Sequence, residues 1–230
     1  MSNPVPLQQL IAQSNLRYIA IEGCIGAGKT TLCTMLAESA GGAQVVFEKF
    51  EENPFLKDFY RDPERYAFQT QIFFLLTRYK QQQELLQADL FHRFLITDYI
   101  FEKDKIFAYL NLQDEELKLY ETLVANIQHS IVQPDLVVYL QNSVPRLMGN
   151  IKRRGRSYEN EISREYIADL NEAYNYFFFR YRATPLLIVN AAELDFVANS
   201  EQYEALLRVV FREERSAVEY YNPPSLSREG

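Results

Sequence analysis

Residues 23–31 read Gly-Cys-Ile-Gly-Ala-Gly-Lys-Thr-Thr, directly after an apolar run and directly before a helical one. No other feature constrains the fold as tightly. The spacing G-x-x-x-x-G-K-S/T, from Gly23 to Thr30, calls for a strand, a tight loop and a helix in succession. Gly23, Gly26 and Gly28 let the backbone curl, so that N–H groups along the loop, those of Cys24, Ile25 and Ala27 included, point inward at phosphate oxygens. The helix starting at Lys29, with Thr30 and Thr31 in its first turn, adds free N–H groups and its positive dipole end. Lys29 is a mobile point charge for the β- and γ-phosphates of ATP, and the Thr30 hydroxyl is a ligand for Mg²⁺. Glycine is scarce elsewhere, since three of the eight in the chain sit in this loop.

The rest of the chain alternates strand and helix. Apolar runs predict strands at 17–22, 44–48, 94–98, 135–140 and 186–190. Helical spacing predicts helices at about 29–39, 101–110, 114–131, 144–153, 162–182 and 200–213. Asn53-Pro54 opens a short helix, and Asp62-Pro63 opens a long one to about Ala88, with proline accepted in the first turn. Strands alternating with helices mean an α/β fold, here a P-loop NTPase with a five-stranded parallel sheet flanked by helices. Residues 1–16 read as a loose N-terminal arm, 17–215 as one domain and 216–230 as a disordered tail. The length of 230 residues suits one large domain.

The net charge of −7 offers no broad positive field for nucleic acid or for an anionic membrane. No stretch approaches the roughly 20 apolar residues of a membrane span, and no export signal is legible. A cytoplasmic protein is expected. Cys24 and Cys33 have no metal or disulfide spacing and read as small packing residues. His92 and His129 have no constellation around them and receive no role.

Ligands of open parallel sheets sit beyond the carboxyl ends of the strands. Two carboxylates are expected there. Asp98, closing Phe-Leu-Ile-Thr, is placed to meet Mg²⁺. Glu48, closing Val-Val-Phe, is placed to accept a proton from an attacking hydroxyl. The basic run with Arg154, Gly155 and Arg156 reads as a lid that neutralises charge on a transferring phosphoryl group. The guanine-binding motif Asn-Lys-x-Asp is absent from the sequence.

The P-loop, the segment Phe47-Glu-Lys-Phe-Glu-Glu-Asn-Pro-Phe-Leu-Lys-Asp-Phe-Tyr60, and Arg154-Gly-Arg156 occur in an order and spacing that resemble the bacterial deoxynucleoside kinases, the deoxyadenosine and deoxyguanosine kinase group. The resemblance spans roughly residues 17–200. It implies a nucleoside kinase fold, and transfer of the γ-phosphate of ATP to the 5′-hydroxyl of a deoxynucleoside, a purine being favoured. By position, Glu48 resembles the general base. Tyr60 resembles the tyrosine at the sugar 3′-hydroxyl, and Glu159 its acidic partner. Gln71 resembles the glutamine that pairs with the base edge. Arg78 resembles an arginine that helps read the base, in a setting expected to include Phe68, Phe74 and Leu75. Asp195 and Phe196 resemble the loop flanking the adenine of ATP. The family forms homodimers through helices, and the aromatic run Tyr174–Tyr181 is expected to be core or partly a subunit face.

The sequence departs from the family at one place. An arginine often follows the carboxylate at the end of the third strand, and here Tyr99 follows Asp98. Lys103 and Lys105 are the candidates to supply that charge, and Asp104 is the candidate for a base-reading acidic residue. Two alternatives accompany this reading: a thymidylate-kinase-like nucleoside monophosphate kinase, and a nucleotide-binding subunit without catalysis.

Overall fold

The computed structural model describes residues 6–88 and 94–223. Its frame is a parallel sheet built from β1 (Tyr18–Glu22), β2 (Gln44–Val46), β3 (Leu95–Thr97), β4 (Leu136–Gln141), β5 (Leu186–Asn190) and β6 (Val218–Tyr221). The strands lie in the order β2-β3-β1-β4-β5-β6, and every neighbouring pair is parallel. Strands β1, β4 and β5 are apolar and buried along nearly their whole length because helices cover both faces. In β1 all five residues are buried. Parallel pairing brings the carboxyl ends of all strands to one edge, and the functional loops leave from there.

The helices are α1 (Leu7–Gln13), α2 (Lys29–Ser39), α3 (Leu56–Arg61), α4 (Pro63–Ala88), α5 (Lys103–Asn111), α6 (Asp114–Ile127), α7 (Val144–Arg154), α8 (Arg164–Arg180) and α9 (Ser200–Val210). Local chemistry sets several of their ends. Pro63 starts α4 at a position where the missing N–H has no helical partner to lose. At the start of α6, Gln113 and Glu116 cap each other's backbone N–H groups. Ser163 accepts from the Tyr166 N–H at 3.0 Å and starts α8. Three cations, Lys152, Arg153 and Arg154, fill the last turn of α7 and suit its negative dipole end. The main core lies between the sheet and α2, α7, α8 and α9. A smaller cluster, with Leu75, Phe101, Tyr120 and Val124, joins α4, α5 and α6.

The sheet has six strands where the sequence suggests five, and the sixth lies inside the supposed disordered tail. Val218–Tyr221 pairs with β5 through the register Leu186↔Val218 to Val189↔Tyr221. It is a four-residue edge strand with one buried residue, Glu219, so it carries no apolar run to read. Arg212, at 2.6 Å, and Arg215, at 3.3 Å, neutralise that carboxylate. The domain therefore extends past residue 215. The N-terminal arm is also partly ordered: α1 lies against α9 and buries Ile11. His92 and residues 224–230 lie outside the described residues, and His129 is exposed.

Candidate active site

The loop after β1 has the conformation its sequence demands. Gly26 and Gly28 take φ of 84° and 95°, in the left-handed region that favours glycine. At Gly26 space is also short, since a Cβ there would stand 2.7 Å from the Leu147 carbonyl oxygen. Two amides hold the loop from outside. Asn150 Nδ2 donates to the Gly26 carbonyl at 2.8 Å, and Asn142 Nδ2 to that of Ala27 at 3.4 Å. Lys29 folds back over the loop and donates to the Gly23 carbonyl at 2.8 Å. Burial and the nearby Lys103 charge lower its pKa, against the pull of Glu22, Asp98 and Glu48.

Asp98 joins the two halves of the site. Its Oδ2 accepts from the Thr30 hydroxyl at 2.9 Å, and its Oδ1 from the Glu48 backbone N–H at 2.7 Å. The Thr30 hydroxyl and Asp98 carboxylate are oxygen donors side by side at the helix start. That pair suits a hard divalent ion that keeps its waters and takes phosphate oxygens. Among the described residues no group of three or more His, Cys, Asp or Glu is placed to hold a metal.

Glu48 lies two residues beyond β2, which ends at Val46. The segment that presents it is clamped to α4. Gln81 Nε2 donates to the Phe47 carbonyl at 2.9 Å, and the buried Asn53 donates to that of Thr70 at 3.1 Å. The Glu48 carboxylate sits between two cations: Arg78 donates to Oε1 through Nε at 2.8 Å, and Lys103 to Oε2 at 2.6 Å. Burial alone would raise the Glu48 pKa, but the Arg78 and Lys103 charges outweigh it and hold it at about 2.

Gln71 and Arg78, seven residues apart on α4, both meet Asp104. Gln71 Nε2 donates to its backbone carbonyl at 2.9 Å, and Arg78 Nη1 pairs with its Oδ1. The Arg78 guanidinium also lies 5.0 Å from the Phe74 ring centroid. Phe74 lines the cleft as expected, but Phe68 does not, and Leu75 is buried in the smaller cluster. The helical period puts Leu75 on the α6 side of α4.

These residues surround an inner cleft, into which Glu48, Tyr60, Gln71, Arg78, Asp98 and Glu159 face. Tyr60 lies among aromatic rings, with Phe59 at 5.4 Å and Tyr166 at 6.4 Å, and burial raises its pKa. Arg154 binds Glu159 in a fork, at 3.1 and 2.5 Å, and Arg156 approaches the same carboxylate at 3.7 Å. Arg156 also covers the Phe50 ring at 4.2 Å.

An outer cleft runs on the far side of the loop. Gly26 to Thr31, Arg146, Arg153, Asp195 and Phe196 line it. Its Asp195 loop is held by Gln202, which accepts the Asp195 N–H at 2.8 Å. Lys29, Thr30, Arg154 and Arg156 border both clefts. Two clefts therefore meet at one cationic point, with the Glu48 carboxylate lining the inner one. That arrangement suits transfer of a phosphoryl group from one cleft to a hydroxyl in the other.

Several residues at the site are not evident from sequence. Glu22, fully buried, accepts the Gly23 N–H at 3.0 Å and the Ile100 N–H at 2.8 Å, tying the P-loop to the turn after β3. Burial raises its pKa, against Lys103 and Lys29. A carboxylate closing a wholly apolar strand was the legible signal. Arg146 reaches the Leu194 carbonyl at 3.3 Å across the outer cleft, and nothing local in the sequence marks it. Tyr99 is fully buried and lines neither cleft. Lys105 lies on another face of α5, beside Ile106 and Tyr109.

The sequence profile of the deoxynucleoside kinases matches residues 19–214. The chain is 35% identical over 196 residues to a deoxyguanosine kinase of Bacillus subtilis, covering 82% of this chain and 93% of that one. It is 34% identical to a deoxyadenosine kinase of Dictyostelium discoideum, over 90% of this chain and 84% of the other. Among solved structures, the deoxyadenosine kinase from M. mycoides with bound dATP superimposes with a TM-score of 0.73 at 29% identity, covering 84% of this chain and 98% of that one. The chain belongs to the deoxynucleoside kinase family.

Proposed function

We propose that this kinase transfers the γ-phosphate of Mg-ATP to the 5′-hydroxyl of a purine deoxynucleoside, with Glu48 as the base. The observation that carries the assignment is the place of Glu48: an ionised carboxylate in the inner cleft, tied through its backbone N–H to the Asp98 that also holds Thr30. The relatives' names, deoxyguanosine and deoxyadenosine kinase, support the purine preference.

The roles follow from position. Gln71 and Arg78 meet the base edge, with Phe74 beside it. Tyr60 and Glu159 meet the sugar 3′-hydroxyl. Residues 23–31 hold the triphosphate, and Asp195 and Phe196 flank the adenine. Thr30 and Asp98 hold Mg²⁺, which when bound screens the phosphate charge. The 5′-oxygen attacks the γ-phosphorus as its proton passes to Glu48. Lys29, Arg154 and Arg156 take up the charge on the moving group. Arg78 is held from both sides, by Glu48 through Nε and Nη2 and by Asp104 through Nη1, which fixes the plane of its guanidinium.

A cytoplasmic homodimer belongs to the same proposal. Along α8 the aromatic run divides by face. Tyr174 and Phe178 are buried, with Phe178 stacked on Tyr139 at 4.3 Å, whereas Tyr176 and Phe179 are exposed. Exposed aromatics beside Tyr109 of α5 support a subunit face there. Among the described residues no helix is long and apolar enough to cross a membrane.

The experiment is a labelled-ATP assay over the four deoxynucleosides and their 5′-monophosphates. Product is expected from the purine nucleosides and not from the monophosphates. Turnover of thymidine monophosphate alone would favour the monophosphate kinase alternative.

A further inference from the structure

Glu22, the last residue of β1, is fully buried and lines neither cleft. A buried carboxylate is costly unless its oxygens are satisfied, and no step of the proposed transfer uses this one. Both of its oxygens serve backbone. Oε2 accepts the Gly23 N–H at 3.0 Å, and Oε1 accepts the Ile100 N–H at 2.8 Å, from a segment 78 positions away. Lys29 holds the other side of the same glycine, donating to its carbonyl at 2.8 Å. The first residue of the phosphate loop is therefore fixed at both its N–H and its C=O.

The turn to which Ile100 belongs carries Asp98. Within it, the Thr97 hydroxyl donates to the Tyr99 carbonyl at 2.7 Å. Asp98 in turn accepts from the Thr30 hydroxyl at 2.9 Å and from the Glu48 N–H at 2.7 Å. The phosphate loop and this turn are thus joined at two points, by Asp98 to Thr30 and by Glu22 to Gly23 and Ile100. One contact alone leaves the turn free to pivot about it, whereas two fix its angle to the loop. The Glu22 joint needs a carboxylate. Two N–H donors require two acceptor oxygens on one side chain, and an amide of the same shape offers one oxygen and an NH₂ group.

Resting on the function proposed above, we propose that Glu22 is a positioning residue for the phosphate donor: by bridging the Gly23 and Ile100 N–H groups, it sets the phosphate loop and the Asp98 turn at the spacing a bound triphosphate needs. Glu22 touches no substrate and exchanges no proton. It acts through the Gly23 amide on one side, and on the other through Asp98 and from there Thr30 and Glu48. The groups assigned to the deoxynucleoside base and 3′-hydroxyl, Tyr60, Gln71, Arg78 and Glu159, stand on other segments. Charge and position act in opposite directions here. An anion beside the loop opposes a triphosphate, so neutralising Glu22 would by charge alone tighten ATP binding. Losing the bridge weakens it.

Glu22→Gln keeps the size of the side chain and leaves one of the two N–H groups facing an NH₂ group. Calorimetry with Mg-ATP and, separately, with deoxyguanosine compares this variant with the unaltered protein. ATP affinity is expected to fall about tenfold, the scale of one buried donor left without an acceptor, with deoxyguanosine affinity changed less than about threefold. In steady state the ATP KM should rise in the same proportion while that of deoxyguanosine holds. ATP binding unchanged or tightened would overturn the inference, as would equal losses for both ligands, which mark a general loosening. An unaltered protein that binds ATP without turnover would overturn the proposed function and leave the binding comparison to decide the role of Glu22; one that binds no ATP would overturn both. Should the variant not fold, a crystal structure of the unaltered protein with a non-hydrolysable ATP analogue decides. Glu22 on both the Gly23 and Ile100 N–H groups beside the bound triphosphate supports the inference, and Glu22 detached from either refutes it.

Discussion

Replacing Glu48 by glutamine keeps the shape of the side chain and removes its charge. Arg78 and Lys103, each 3% exposed, are then left facing a neutral amide. The Glu48 pKa falls from 4.5 to about 2 on folding. At about 1.36 kcal/mol per unit, that shift stands for about 3 kcal/mol of stability. It agrees with the roughly 3–5 kcal/mol lost when one partner of a buried ion pair is removed. An unfolding entropy of about 2.1 cal/mol/K per residue, over 230 residues, turns it into a fall in Tm of about 6 °C. The sign with pH is fixed. The folded pKa is depressed, so the contribution is complete above the unfolded value of 4.5 and disappears as pH falls toward about 2. Urea unfolding of both proteins should give a gap of about 3 kcal/mol at pH 7, narrowing by roughly 1 kcal/mol at pH 4. A variant as stable as the parent at pH 7, or a gap that widens on acidification, would refute the clamp as an energetic feature.

Other consequences follow from the same geometry. Gly26→Ala puts a Cβ 2.7 Å from the Leu147 carbonyl oxygen, so ATP binding measured by calorimetry should weaken at least tenfold. Asp98→Ala releases both Thr30 and the Glu48 backbone; a fall in kcat of about 100-fold or more is expected, with the loss larger at low Mg²⁺. Gln71→Ala removes a base-edge amide, and steady-state kinetics should register it as a deoxynucleoside KM raised about tenfold, with kcat less affected. The double change Tyr176→Asp, Phe179→Asp alters only exposed positions; light scattering should move from dimer to monomer while the melting curve stays cooperative.

Much of the fold was legible in the sequence where burial is two-sided and bounded. Leu186–Asn190 is legible to the residue, because an apolar run between Pro185 and a polar turn admits one placement. The P-loop helix was read equally well, since Gly28 and Gly41 mark its ends. Val218–Tyr221 leaves no mark in the sequence, because an edge strand with one buried, charged residue has no apolar signature. At the site, Asp98 and Glu48 were legible as carboxylates near strand ends, and the structure brings both to the loop. Pairings across distant segments were not. Nothing local says that Arg78 will meet Asp104, 26 positions on, or that Lys103 rather than Lys105 will turn to Glu48. A helix advances about 100° per residue, so the two lysines diverge by about 200°. That decision belongs to the packing of α5 against α4 and α8.

Single-turnover transfer from ATP to deoxyguanosine and deoxyadenosine, by the unaltered protein and by Glu48→Gln below its melting range, tests the central claim most directly. 5′-Monophosphate is expected from the unaltered protein, with a rate about 10³-fold lower for the variant, within the span for loss of a positioned base. Deoxynucleoside affinity, measured separately, should change less than about fivefold. Transfer by Glu48→Gln within threefold of the unaltered rate would contradict it.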